Sequence, residues 1–508
     1  MKVYVALAGF AFAILAFAAV WLGGLNQDEG WYLYAAQLVG EGKMLYRDFF
    51  YTQGPAMPII YAPFAWVWRG AGLLGARLLT CGLGLLAILF AASLARLLVP
   101  EGKRALAGVM TFLLLGCNLY HIYYSSIPKT YALASLFVMM GYYLLACAFT
   151  ERGRRFSAVL LFVSGLSLAF AAGTRISLGL LLAVCGFGLL LAFRRYGWSF
   201  FWFGLGGALG LLAVYGPFVF DPHAFAGLCA AQKYHAARGG FDPVFTIGSF
   251  SRLVRWYLPI FVLLGLGVFG LIVSRRTLRE AVGLVPCLAL VGFLLVFGVQ
   301  MLAPFPYEDY QVPVMGLLAV FASVLCTTLV TEQDGQAHPV VRQAHLLPLL
   351  ALGLTWAGSF GSPLLEGWMT DGQDRFWSRK KSKPELAQLQ EMAAVIESVD
   401  PGGTMLLTQD LYLAVESGRK VPEGLEMGPF SQLSDEAWIK LLSSAPCEIA
   451  ALSGYSFCIN PPVCDERPIE KQLACWSALK PNYELVYQDE AFGQNSTSLL
   501  ILKKKVAK

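Results

Sequence analysis

The sequence predicts a mainly α protein: a polytopic bundle of transmembrane helices followed by a small C-terminal α/β domain. Three observations predict it. The 508 residues are 57% apolar and only 14% charged, against about 25% charged in soluble domains. Nearly half of the charged side chains fall beyond residue 358, which leaves long earlier stretches that require lipid as their solvent. At Glu366 the composition turns abruptly polar and charged. A set of soluble domains and a disordered chain are both excluded. A net charge of +5, scattered among short loops, is too small to argue for nucleic acid.

Taken in order, about eleven apolar runs reach or approach the ~20 residues that span a bilayer. They fall at 3–25, 73–98, 105–121, 130–149, 157–174, 176–193, 198–219, 255–274, 281–302, 312–331 and 346–361. The first lacks a small-residue cleavage pattern and reads as an anchor. Lys103 and Arg104, then Arg152, Arg154 and Arg155, then Arg194 and Arg195, then Arg275, Arg276 and Arg279 all fall on one side if the N-terminus is cytosolic, as the positive-inside rule requires. The loops 26–72, 122–129, 220–254 and 303–311 and the tail then lie on the non-cytosolic face. The chain divides into a membrane module, 1–361, and an extracytoplasmic α/β domain, 362–508. The expected setting is a bacterial cytoplasmic membrane, with that domain periplasmic or extracellular.

In the tail, an amphipathic run from Pro384 to Val399 reads as a helix and Thr404–Thr408 as a strand. Further helices are expected at 434–444 and 466–479, and strands at 448–452, 483–488 and 498–503. The segments from Tyr412 to Arg419 and from Leu425 to Ser431 look like patterned surface. Cys447, Cys458, Cys464 and Cys475 cluster without a CxxC knuckle, so disulfides are preferred to a zinc site, and these need an oxidising compartment. Asn495-Ser496-Thr497 fits an N-glycosylation acceptor.

The most informative residues follow the first span. Asp28 and Glu29 sit within a few residues of the membrane surface, and Trp31 to Val39 continue as an aromatic-rich run at helical spacing. This run reads as an interfacial helix lying flat, with its rings at headgroup level. It would hold the acidic pair near the depth of a lipid phosphate. An acid that merely terminates a helix is the plainer explanation, and the long aromatic loop behind the pair argues against it.

These residues, with Gly42-Lys43-Met44-Leu45-Tyr46-Arg47-Asp48-Phe49, Tyr51-Thr52-Gln53-Gly54-Pro55 and the order of spans to about residue 330, resemble the GT-C superfamily of polytopic glycosyltransferases. The likeness is to the branch of protein O-mannosyltransferases and aminoarabinose transferases. It implies transfer of a sugar from a polyprenyl-phosphate donor to a glycan, lipid or protein acceptor on the non-cytosolic face. Asp28 would be the general base, and Glu29 would place the acceptor or a divalent ion, Mg or Mn.

The chemistry suits that set. Phosphate leaves without the protonation a glycosidase must supply. One carboxylate to take the acceptor proton, plus cations to hold the phosphate charge, is sufficient, and attack from the opposite face inverts the anomeric centre. Candidate phosphate ligands are Arg47, Lys129, Arg175, Lys233 and His235, each of which could equally be a snorkelling or interfacial side chain. Arg238 and His121 are weaker candidates. Tyr51, Gln53, Tyr307, Glu308 and Tyr310 are expected to line the cavity. The second outer loop, His121 to Thr130, lacks the acid common in the relatives, and Gln53-Gly54-Pro55 stands where aminoarabinose enzymes carry a lysine before proline. A transporter or flippase of a lipid-linked sugar is the alternative, but the sequence has no paired halves and no mid-membrane charges of the usual kind. A membrane scaffold would not need the acidic pair. Glycan polymerases and ligases rely on a large late outer loop, whereas here the first loop is longest.

Overall fold

The computed structural model describes residues 2–151, 153–236, 239–274, 282–329, 353, 383–454, 469–494 and 496–506. The helices, in chain order, are α1 (Lys2–Leu22), α2 (Gln27–Gly40), α3 (Ala56–Tyr61), α4 (Ala65–Leu97), α5 (Arg104–Gly116), α6 (Leu119–Ser126), α7 (Thr130–Ala148), α8 (Ser157–Thr174) and α9 (Gly179–Leu191). They continue with the single turn α10 (Phe193–Tyr196), α11 (Ser199–Val219), α12 (Pro222–Ala236), α13 (Pro243–Trp256), α14 (Leu258–Ser274), α15 (Leu284–Met301) and α16 (Val312–Leu329). Among the described residues, 7 helices are long and apolar enough to cross a membrane, or 9 if α5 with α6 and α13 with α14 are each one bent span. The α9 region, Ile176–Leu191, is a shorter apolar helix. Every predicted span therefore has its counterpart except 346–361, of which only residue 353 is described. The chain is an integral, multi-pass membrane protein. Helix α16 is the axis of the bundle, packed against α4, α5, α7, α14 and α15. Its Ser323, Thr327 and Thr328 are all buried there, and Thr327 and Thr328 donate their hydroxyls to the Ser323 and Val324 carbonyls of the same helix.

The tail contributes α17 (Glu385–Val399), α18 (Leu411–Glu416), α19 (Asp435–Ser444), β1 (Ile449–Ser453), α20 (Ile469–Leu479), β2 (Tyr483–Phe492) and β3 (Thr497–Lys504). The strands form an antiparallel sheet in the order β1-β3-β2, with Ala451 opposite Ile501. Thr404–Thr408, predicted as a strand, forms isolated bridges instead, Met405 with Lys420 and Leu407 with Ala450. The second of these lies on the outer edge of β1, whose residues are all buried. Cys447 and Cys475 are both buried, while Cys458, Cys464 and Asn495 lie outside the described residues.

Two expectations about surfaces are corrected. Helix α2 does not present its rings to headgroups: Trp31, Tyr32, Leu33 and Tyr34 are all buried. Tyr412 to Val415, expected to be surface, are buried too. The two corrections have one cause. Helices α2 and α18 pack on each other, and the aromatic face of α2 belongs to the same apolar core as Leu386, Ile396, Leu413 and the sheet residues Ala450 and Ile501. Gly30 marks the contact, since a Cβ there would lie 2.1 Å from the Tyr412 backbone nitrogen. Burying aromatic surface from both sides is worth more than leaving half of it in a headgroup layer, because each ring carries ~150–250 Å².

Candidate active site

The site begins at a helix N-terminus. Asn26 caps α2, its side chain accepting from the Asp28 N–H at 3.1 Å while its own N–H donates to Glu29 Oε1 at 2.8 Å. This reciprocal cap satisfies donors that the first turn leaves free. It also fixes Asp28 and Glu29 on a rigid turn, where negative charge meets the favourable end of the helix dipole.

The two acids then part company. Glu29 is fully buried and grips Arg77 of α4 with both oxygens, at 2.7 Å from Nε and 2.6 Å from Nη2. Arg77, also fully buried, donates in addition to the carbonyls of Val20, Gly23 and Gly24. These are the last carbonyls of α1 and its following turn, so one guanidinium ties together α1, α2 and α4. Glu29 is thus committed to a structural pair, and not to an acceptor or ion as expected. Sequence reasoning passed over Arg77, although a lone arginine inside an apolar span is itself a signal.

The tail reinforces this junction. Helix α4 is broken at Ala71 and Gly72, the latter with φ +58°, and restarts at Leu73. The Glu416 carboxylate accepts from the Leu73 N–H at 2.7 Å, occupying the space a side chain at position 72 would need. Glu385 accepts from the Leu25 N–H at 2.6 Å. Two carboxylates of the tail therefore hold the chain on either side of α2.

Asp28 faces a different cluster. Its Oδ2 lies 2.8 Å from Lys129 Nζ, and its Oδ1 accepts from Trp31 Nε1 at 3.1 Å. The Asp28 side chain keeps 27% of its exposure while that of Lys129 keeps 6%. Burial pushes the Asp28 carboxyl up, but the Lys129 ammonium, the Trp31 hydrogen bond and the charge of Arg175 outweigh it and hold it below its ordinary range. Burial pulls Lys129 down, yet the carboxylates of Asp28 and Asp309 lift it well above its ordinary value. Lys129 reaches Asp309 Oδ2 at 3.3 Å, and Tyr131 donates its hydroxyl to the same oxygen at 3.0 Å. Glu308, expected to line the cavity, instead pairs with Arg252 at 3.1 Å, and its neighbour Asp309 is the acid that reaches Lys129.

Arg175, at the end of α8, completes the charge arrangement. Its guanidinium lies over the rings of Tyr131 (5.1 Å) and Tyr310 (4.5 Å) and reaches the Thr130 hydroxyl at 3.5 Å. Among the described residues, no carboxylate is within ion-pair distance of it. It opens onto a cleft of about 230 Å³ lined by Gln53, Gly54, Tyr215, Gln232, Gln300 and Tyr310, among others. Gln53 and Tyr310, expected to line the cavity, both line this cleft. Tyr51 does not: it is buried among Trp31, Tyr32 and Tyr46. Tyr307 stacks on Phe305, outside the cleft lining.

The remaining candidates separate. Arg47 is exposed and pairs with Asp48 and Asp221, and it does not line the cleft. Lys233 is exposed, next to the cleft residue Gln232 on α12. The side chain of His235, and Arg238 entirely, lie outside the described residues. His121 is buried with its Nδ1 3.0 Å from the Tyr257 hydroxyl. A divalent Mg or Mn ion needs several oxygen ligands in a shell. Asp28 and Asp309 instead both face the ammonium of Lys129, and among the described residues no group of three His, Cys, Asp or Glu side chains could hold a metal.

Comparison with known proteins places this geometry on a familiar scaffold. No family model matches the sequence, and no curated protein matches it. ArnT from Cupriavidus metallidurans, solved bound to undecaprenyl phosphate, superposes with a TM-score of 0.60 at 13% identity over 99% of this chain and 98% of that one. Its apo state gives the same TM-score at 14% identity. The apo oligosaccharyltransferase of Archaeoglobus fulgidus gives 0.52 at 10% identity, over 87% of this chain and 69% of that one. The chain therefore has the fold of these membrane proteins, the GT-C fold that the sequence resemblance implied.

Proposed function

We propose that this protein is a membrane glycosyltransferase that moves a sugar from a polyprenyl-phosphate donor to an acceptor hydroxyl with inversion, using Asp28 as the general base. The observation that carries the reading is the Asp28–Lys129 pair set beside Arg175, a cation without a carboxylate partner among the described residues, at the mouth of a cleft. The fold shared with ArnT, solved with undecaprenyl phosphate, supports the donor class. The loops that carry these residues lie on the non-cytosolic face of a cytoplasmic membrane, by the charge asymmetry of the short loops. The chain divides in this reading into a membrane module, 1–361, and an extracytoplasmic domain, 362–508, whose helix α18 packs on α2.

In this mechanism the donor phosphate lies against Arg175 and within reach of Lys129. The acceptor hydroxyl attacks the anomeric carbon as Asp28 takes its proton. The new carbon–oxygen bond forms while the anomeric carbon–phosphate oxygen bond breaks, and the electron pair leaves on the phosphate. Arg175 and Lys129 stabilise that growing charge in a site with little water, where fixed cations are most effective. No acid is needed for the leaving group. Asp309 and Tyr131 position Lys129, while Glu29 and Arg77 position α2.

Purified protein in lipid nanodiscs, given cell-extracted polyprenyl-phosphate sugars and acceptor fractions, should release polyprenyl phosphate. Release should fall about 10²–10⁴-fold in Asp28→Asn. No release by wild type, or equal release by the variant, overturns the reading.

A further inference from the structure

The candidate base carries a contradiction that its surroundings resolve. A carboxylate bound to a buried ammonium is a poor proton acceptor, and Asp28 is so bound, with Lys129 Nζ 2.8 Å from its Oδ2. Lys129 has a second anchor, Asp309 Oδ2 at 3.3 Å, itself held by the Tyr131 hydroxyl. The ring of Tyr131 lies 5.0 Å from Lys129 Nζ and 5.1 Å from the Arg175 guanidinium. One side chain therefore separates the shared ammonium from the cation that faces the cleft. The groups around Lys129 are Asp28 with Trp31 and Tyr32 from α2, Tyr124 from α6, Tyr131 from α7, Asp309 and Tyr310 from the last outer loop, and Arg175 beyond Tyr131. Within this group two carboxylates balance two cations, so an arriving phosphate brings uncompensated negative charge.

Resting on the transferase reading above, we infer that the donor phosphate draws Lys129 away from Asp28, so that donor binding itself unmasks the base. Lysine suits this task because its ammonium is a point charge on a flexible stem, whereas a planar guanidinium would be locked to one carboxylate. Asp309 supplies the fixed point, keeping the ammonium charged and buried while it turns. The arrangement enforces order: donor first, acceptor second.

Binding of undecaprenyl phosphate to the full-length protein in nanodiscs tests this. If Asp28 competes with the phosphate for Lys129, Asp28→Asn should bind undecaprenyl phosphate at least about fivefold tighter than wild type, the lower range of ordinary coupling between sites. Lys129→Gln should bind it correspondingly weaker. Asp309→Asn removes the same charge from the same cluster without freeing the ammonium from Asp28, so it should tighten binding less than Asp28→Asn does. Unchanged affinity in Asp28→Asn, or equal tightening in both aspartate variants, overturns the exchange and leaves the transferase reading standing. No binding of undecaprenyl phosphate by wild type overturns that reading, and the exchange with it.

Discussion

Glu29 holds Arg77 through both carboxylate oxygens, at 2.6 and 2.7 Å, and neither side chain has any exposure. A pair this deep is costly to break and cheap to remove whole, because one charge left behind has nothing to solvate it. Glu29→Gln and Arg77→Met should each lower the unfolding temperature in nanodiscs, by the equivalent of about 3–5 kcal/mol. The double variant should lose much less than the sum. Additive losses in thermal unfolding would contradict the pairing.

The docking of the tail on α2 makes a second prediction. Deleting residues 366–508 removes the Glu385 and Glu416 contacts to Leu25 and Leu73 and uncovers the rings of α2. Binding of undecaprenyl phosphate and sugar transfer should therefore be lost together. A tail that only recognised the acceptor would leave donor binding intact. Gly30→Ala probes the same interface with one methyl group, placed 2.1 Å from the Tyr412 nitrogen. It should destabilise by about 1–3 kcal/mol as an overpacked contact, and thermal unfolding would measure it.

Arg175 lies over Tyr131 and Tyr310 with its charge toward the cleft. Arg175→Met should raise KM for the lipid donor by about 10- to 100-fold, the range for a lost hydrogen bond to a charged group. Arg175→Lys should restore little, since an ammonium cannot reproduce a planar group stacked on two rings. A lysine variant with wild-type KM would contradict this placement.

The pH profile follows from the sign of the Asp28 shift. Its carboxyl is held low in the donor-free enzyme by Lys129, Trp31 and Arg175 against the opposing effect of burial. A base with a depressed pKa stays ionised as pH falls, so the acid limb of kcat/KM should lie below the ordinary carboxylate value of about 4. Once the donor has taken Lys129, the hold on Asp28 relaxes and the acid limb of kcat should lie at higher pH. Coincident limbs in steady-state profiles would contradict the exchange.

Much of this was legible in the sequence, for identifiable reasons. Apolar runs of bilayer length give the spans, and the pair at residues 28 and 29 gives the place of the site, because acids beside an aromatic loop at the membrane boundary are unusual. Lys129 and Arg175 were visible as cations with no obvious reason to be there. The division of labour within the pair was not legible, since it depends on which face of α2 meets α4. Arg77 needed the third dimension for the same reason. The burial of Trp31 to Tyr34 could not be read either, because the surface that covers them comes from residues almost four hundred positions later.

The most direct test of the central claim is a mass-spectrometric comparison of lipid-linked and surface glycans in cells carrying wild-type protein, Asp28→Asn, or none. The account predicts that Asp28→Asn matches the null, with a polyprenyl-phosphate sugar accumulating in both and the residue missing from the acceptor naming that sugar. Glycans restored to wild type by Asp28→Asn, while the null differs, would show that the protein acts without this carboxylate and would contradict the account.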